Sequence, residues 1–143
     1  MSGQIDPLTR EARVARASQA LRLSALLVAF VADMDPLALY RSTKGASAES
    51  YWRSLWLYLT RVGLDITETD LADALGRHHS TIAHACKSIE DVRSEHDGAD
   101  DAIEELIADV KRNFDRVNRI HDALIEGKEK RAKAAKASAR RGD

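Results

Sequence analysis

From Thr67 to Val92 the chain reads TETDLADALGRHHSTIAHACKSIEDV. Thr67-Glu68-Thr69-Asp70 has the spacing of a capping box, with Asp70 in place of the usual Glu, so a helix is predicted to start at Glu68. Leu71, Ala72 and Leu75 give it an apolar face, and Gly76 breaks it. A second helix is predicted to start at His79 or Ser80 and to bury Ile82, Ala85, Cys86, Ile89 and Val92, which recur at steps of three and four. A short helix, a tight glycine-containing turn and a longer helix form the grammar of a helix-turn-helix.

Upstream, Asp6-Pro7 reads as an N-cap followed by proline in the first turn of a helix that runs to about Met34. Leu23, Leu26, Leu27, Phe30, Val31 and Met34 form its expected core-facing stripe. Its first half is basic and Ala-rich and is expected to protrude or pack only lightly, so residues 1–22 are read as an N-terminal basic helical extension. Asp35-Pro36 closes this helix and opens a short one, Leu37 to Tyr40. Arg41 to Ser50 is read as a loop. Glu49 to Arg61 returns to helical period with Trp52, Leu55, Trp56 and Leu59 on one face, where the tryptophans are expected to pack the core. Gly63 is its expected C′ residue. Downstream, His96 to Asp100 is read as a loop. A charged helix from Ala102 to about Ile125 carries Ile103, Leu106, Ile107, Val110, Phe114, Val117 and Leu124 in register, and makes residues 97–126 a C-terminal helix. Residues 127–143 are read as a basic tail, frayed or disordered.

The composition agrees with an all-α class. Only 7 Gly and 2 Pro among 143 residues argue against a turn-rich sandwich or barrel. A 31% charged fraction beside 44% hydrophobic residues suits one globular domain with appendages. The lone cysteine, Cys86, forms no internal disulfide, which fits a reducing compartment. The longest apolar stretch, Leu23 to Ala32, is about half a bilayer span, so a cytoplasmic protein without a membrane segment is expected. The net charge of −1 hides an asymmetry: residues 127–143 carry seven basic and two acidic residues, leaving −6 on the rest. Any electrostatic footprint on nucleic acid must therefore be local.

Several chemistries lack their residues. There is no Gly-x-x-x-x-Gly-Lys-Ser/Thr loop to cradle phosphates. No paired carboxylates or nucleophile–base pattern appear, so neither an enzyme nor a cofactor is expected. His79 and His84 are five apart and no second cysteine exists, so no metal site is expected.

If Ile82, Ala85, Cys86 and Ile89 face the core, Arg77, Thr81, His84 and Ser88 share the opposite face, flanked by His78, Ser80 and Lys87. That face is polar, rich in donors and free of carboxylates until Glu90. Such residues at a helix N-terminus suit base edges and phosphates.

Arg77 to Ile89 resembles the signature of the C-terminal DNA-binding domain (domain IV) of the bacterial replication initiator DnaA, which runs Gly-Arg-Asp-His-Ser/Thr-Thr-Val/Ile and continues into a helix with His-Ala-Cys and a basic residue. Arg53 to Arg61 resembles the family's preceding helix, Thr67 to Leu75 its first helix-turn-helix helix, and Leu27 to Tyr40 its entry helix and short sequel. The resemblance covers about 70 residues, Leu26 to Glu95. It implies an all-α, multi-helix domain with a DnaA-like, Trp-repressor-like helix-turn-helix over residues 23–96, plus extended N- and C-terminal helices. By position, it implies that His79, Ser80 and Thr81 read bases, with His78 and His84 beside them on the reading face. Arg53, Arg61, Thr67, Arg77 and Lys87 are implied to contact or brace against the DNA backbone. The family's basic loop is represented only by Arg41 and Lys44, of which Lys44 is assigned to the backbone. His78 replaces the family's Asp, and one glycine of its pair before Arg77 is missing. An Asp accepts from cytosine N4, whereas a His can donate to guanine, so a changed preferred site is expected.

The expectation is a stand-alone protein that binds double-stranded DNA and acts as a bacterial transcriptional regulator at the nucleoid. Activators of gene transfer agent genes are stand-alone proteins of this resemblance. Two alternatives keep the fold: an adaptor working through RNA polymerase or another DNA-binding regulator, and a replication-control protein competing for initiator sites.

Overall fold

The computed structural model describes residues 9–41 and 47–141. Among them are six α-helices and no strand: α1 (Arg10–Ala32), α2 (Pro36–Leu39), α3 (Ser47–Tyr58), α4 (Glu68–Leu75), α5 (His79–Glu95) and α6 (Asp97–Arg141), with a π turn (Leu59–Gly63) between α3 and α4. The all-α class read from the sequence is the class observed. The chain divides into two compact units, Met1–Lys111 and Arg112–Asp143.

In the first unit α1 packs on α3 and α4, and α3 packs on α5. The Thr9 hydroxyl accepts from Ala12 N–H, 3.1 Å, and caps α1. The cap is thus Thr9 rather than Asp6; the Asp6-Pro7 pair lies outside the described residues. α1 ends where Asp33 turns left-handed, φ 54°, and its N–H returns to the carbonyls of Ala29 and Phe30.

The face of α1 that enters the core differs from the expected stripe. Ala17, Ala20, Leu21, Ser24, Ala25, Val28 and Ala29 are buried, whereas Leu26, Phe30 and Val31 are exposed, Phe30 by 86%. α1 is apolar on both faces in its second half, so periodicity could not choose between them. Small side chains settle it by letting neighbouring backbones come close. Ion pairs support the same rotation, Arg10 to Asp73 at 3.5 Å and Arg13 to Asp70 at 3.6 Å. The first half of α1 therefore packs on α4 instead of protruding. By length and composition alone α1 is apolar enough to cross a membrane, but seven of its residues are buried in the core.

Asp35 caps α2 by accepting from Leu37 N–H at 3.0 Å, and proline occupies the first turn as expected. α3 already begins at Ser47, so the end of the expected 41–50 loop is helical. From Leu55 to Thr60 every residue is buried. Trp56 is fully buried, its indole N–H donates to the Leu21 carbonyl at 2.8 Å, and the Tyr40 ring meets it edge-on at 4.7 Å. Trp56 thereby ties α1, α2 and α3 together; Trp52 is half-buried.

Gly63 is not the expected C′ residue. The Thr60 hydroxyl donates back to the Trp56 carbonyl, 2.8 Å, a bond of the kind that bends helices. The helix widens there into the π turn instead of stopping. The lack of a side chain at Gly63 serves close approach, because a Cβ there would lie 2.7 Å from Val110 Cγ1 of α6.

The expected 96–100 loop is a single extended residue, His96, after which α6 starts at Asp97. Asp97 and Asp100 in the first turn favour this start, since carboxylates suit a helix N-terminus. Ile103, Ile107 and Val110 are buried. Four hydrogen bonds lock the helices below: Tyr58 O–H donates to Glu90 Oε1 at 2.5 Å, while Arg93 Nη1 donates to the Tyr58 oxygen at 2.9 Å. Arg93 Nε donates to Asp100 at 2.7 Å, and its Nη2 donates to Glu104.

The described part of the second unit is the rest of α6. The tail read as frayed or disordered is helical to Arg141. Residues 128–141 are nearly all Lys, Arg, Glu and Ala, all strong helix formers, and Glu126 pairs with Lys130 at 3.1 Å one turn on. Val117, Ile120, Leu124 and Ile125 are exposed.

Two outcomes test this packing. Gly63→Ala should lower unfolding free energy by about 1–3 kcal/mol in urea, and Val110→Ala in the same chain should recover part of that loss instead of adding to it. Arg93→Met should cost about 2 kcal/mol, because charge-assisted bonds are lost while Glu104 and part of Asp100 stay hydrated. The denaturation midpoint of each variant is the measurement.

Candidate nucleic-acid interface

The face expected to carry function is built by two caps and a turn. The Thr67 hydroxyl accepts from Asp70 N–H at 3.1 Å, as the capping spacing predicts, and α4 starts at Glu68. Leu71 and Ala72 are buried, and Leu75 is half-buried. Gly76 then adopts φ +64°, a left-handed position that suits glycine, and ends the helix. Its N–H and that of Arg77 return to the Asp73 and Ala72 carbonyls. Three residues, 76–78, separate α4 from α5.

His78 is the N-cap of α5. Its Nδ1 accepts from Ser80 N–H at 3.1 Å and lies 2.7 Å from the Ser80 hydroxyl. The sequence reading assigned His78 only to base contact. The signal for its local role is its place just before the first helical residue, where the DnaA signature that the sequence resembles has Asp, a strong cap.

Along α5, Ile82, Ala85, Cys86 and Ile89 are buried as the spacing predicts, and Val92 is half-buried. Ser80, Thr81, His84, Lys87 and Ser88 are exposed on the other side. One neighbour on this face was missed. His79 Nε2 lies 3.3 Å from Glu68 Oε1, so tertiary packing brings an α4 carboxylate to a face that looked free of acids until Glu90. Lys87 faces Asp91 at 3.3 Å; both are largely exposed, and such a pair is worth little and is easily exchanged for another anion.

The arginines behave differently from one another. Arg77 Nη2 donates to the Tyr40 carbonyl at 2.7 Å, which anchors the turn to the end of α2. Burial, and next the charge of Arg53, lower its pKa from the ordinary arginine value. Arg53 on α3 is half-buried, and its Nε and Nη2 are enclosed without a hydrogen-bond partner among the described residues. Two guanidiniums therefore neighbour each other with no described ion pair to either. Arg61, in the π turn, lies near enough to Cys86 for its charge to favour the thiolate. Lys44 lies outside the described residues.

The Tyr58–Glu90–Arg93 lock, which sequence reasoning also missed, sets the far end of α5. Burial, then the hydrogen bond to Glu90, push the Tyr58 phenol up to about 12. No periodicity argument could have found it, since Tyr58 lies in a run of apolar residues and Arg93 looks like any surface arginine. Between α1, α2 and α4 a groove of about 560 Å³ is lined mainly by apolar side chains, including Leu21, Leu26, Leu37 and Leu75. Among the described residues no three His, Cys, Asp or Glu side chains converge as a metal site would require.

Burial pushes the Cys86 thiol up to about 11, and Glu68 adds to this. The unfolded chain, with an ordinary thiol, ionises at lower pH, so Cys86 supports folding fully below about 9 and that support is lost as pH rises towards 11. Cys86→Ala should flatten the fall in stability over this window, and the native thiol should react with a disulfide reagent far more slowly at pH 8 than the thiol of the chain in urea.

Comparison of the chain with models of known protein families finds no match, and comparison with curated proteins finds none.

Proposed function

We propose that this chain is a sequence-specific double-stranded DNA-binding protein and acts as a transcriptional regulator in a bacterial cytoplasm. α4 and α5 serve as its helix-turn-helix. The observation that carries the reading is the face of α5. From its N-terminus it presents His78, His79, Ser80, Thr81, His84 and Lys87 to solvent, beside the neighbouring guanidiniums of Arg53 and Arg77. The resemblance of residues 26–95 to the DNA-binding domain of DnaA supports it independently.

The division of labour follows from the chemistry. Residues at the start of the second helix meet base edges in the major groove. Thr81 and His84 bring exposed donors and acceptors there, and His79 brings an imidazole beside Glu68. Lys87 and Arg61 hold phosphates, which fixes register without reading sequence, and the half-buried Arg53 and Arg77 add their charge to the backbone contact from beside the turn. Thr67 and α4 brace α5 from behind. Nothing in this scheme calls for catalysis or a cofactor.

One observation favours a second reading, in which the chain is an adaptor for RNA polymerase or another regulator. Phe30, Leu26, Val31 and Leu37 form an exposed apolar surface on α1 and α2, and the chain before residue 112 carries a net charge of −6.

Genome-wide immunoprecipitation combined with in vitro binding to the recovered fragments separates the two. Sharp peaks sharing a motif that pure protein binds support the regulator; promoter peaks without autonomous binding support the adaptor. His79→Ala or Thr81→Ala should lose about 1–3 kcal/mol of specific binding and relax preference at one base pair. Lys87→Ala should weaken all duplexes alike and flatten the slope of log affinity against log salt by about one. Intact specific binding by His79→Ala would remove the base-reading role of that residue.

A further inference from the structure

The capping bond at the start of α5 determines which hydrogen-bonding group His78 can offer to a ligand. A backbone N–H can only donate, so the Ser80 N–H at 3.1 Å makes His78 Nδ1 an acceptor. The Ser80 hydroxyl at 2.7 Å can donate to the same atom. A neutral imidazole carries one proton, and with Nδ1 accepting, that proton must sit on Nε2. Nε2 makes no hydrogen bond among the described residues, and His78 is exposed. The free edge of the ring is thus a donor and cannot accept while the cap is in place.

We propose that His78 is a specificity-determining residue whose tautomer is set by its capping bond, so that it selects a guanine at one position of the DNA site. This rests on the DNA reading proposed above. In the major groove guanine offers two acceptors, N7 and O6, and no donor. Adenine sets an amino donor beside N7, thymine sets a methyl beside O4, and cytosine offers only the N4 amino donor, so a lone donor is best served by guanine and refused by cytosine. A free imidazole could serve guanine or cytosine by exchanging tautomers. A capping imidazole cannot do so without giving up the Ser80 N–H. One residue therefore both starts the helix and restricts what the helix reads. An Asp at this position would cap through one oxygen and turn the other, an acceptor, towards the bases, reversing the preference.

The fold survives the decisive variants, because Asp and Asn are among the best N-caps. The tautomer is read first on the free protein by two-dimensional nitrogen–proton NMR of the imidazole at alkaline pH. The Nε2–H form is expected, and an Nδ1–H form overturns the proposal. Wild-type protein, His78→Asp and His78→Asn are then each used to select binders from a randomised duplex library. Wild type should prefer guanine at one position by roughly tenfold. His78→Asp should replace it there with a base bearing an amino donor, cytosine or adenine. His78→Asn, which can cap through its oxygen and present its NH₂, should keep guanine. An unchanged site in His78→Asp, with binding retained, overturns this proposal and leaves the DNA reading standing. Equal weakening of all duplexes with a smaller salt slope marks a phosphate contact and also overturns it. Failure of wild type to enrich any sequence overturns the DNA reading itself, whatever tautomer the NMR shows.

Discussion

The Tyr58 hydroxyl, on a residue only 1% exposed, donates a hydrogen bond to Glu90 and accepts one from Arg93, and Arg93 reaches on to Asp100 and Glu104. This cluster joins α3, α5 and the start of α6, and its directional bonds add to the apolar packing that already opposes rotation of α5 about its axis. A buried phenol needs a partner, and a half-buried guanidinium needs several, so the arrangement has few alternatives that leave every group satisfied. The cluster and the buried face of α5 together set the direction of its outer face. If α5 turned by one residue, about 100°, Ile82 and Ile89 would swing off the core and the exposed donors would swing into it.

A second anchor acts at the other end of the domain. Trp56 donates to the backbone of α1 and packs against Tyr40, while Arg77 donates to the Tyr40 carbonyl. The turn before α5 is thereby tied, through the end of α2, to the same tryptophan that holds α1. The N-terminus of α5 and its far end are each fixed by polar contacts into different parts of the core. This suits a helix whose side chains must be presented in a set order rather than merely covered by solvent.

Patterns local in sequence were legible. The 67–70 cap, the α4 bounds, the break at Gly76 and the four buried positions of α5 all follow from spacing, because each is decided within about one helical turn. What failed was decided by distant residues or by degenerate patterns. α1 offered two apolar faces, and the chosen one depends on the small residues that α3 and α4 can approach. Gly63 resembled a helix terminator, yet its role is set by Val110, far away in sequence. The 96–100 loop and the basic tail were read from glycine and charge, where helix propensity and first-turn carboxylates prevailed. At the candidate site the outer face of α5 was legible, while the Glu68 carboxylate beside His79 was not, since the two lie on different helices.

The electrostatics limit what this face can do alone. The basic residues of 128–141 are balanced by acids before residue 112, so attraction to a phosphate backbone cannot come from the net charge of −1. It has to come from particular side chains within a Debye length, about 8 Å at physiological salt. On that scale the sign around α5 changes from place to place: Arg53 and Arg77 lie near the turn, whereas Glu68 stands against His79 and Asp91 against Lys87. On the proposed DNA reading, non-specific affinity from such a surface would be low, because each phosphate contact must displace a carboxylate or stand alone. Discrimination is less affected, since hydrogen bonds to base edges depend on donor and acceptor geometry more than on field. On the DNA-binding reading proposed above, a protein built this way would have a small non-specific background for its specific affinity, and its occupancy of a genome would be governed by the match at a few base pairs.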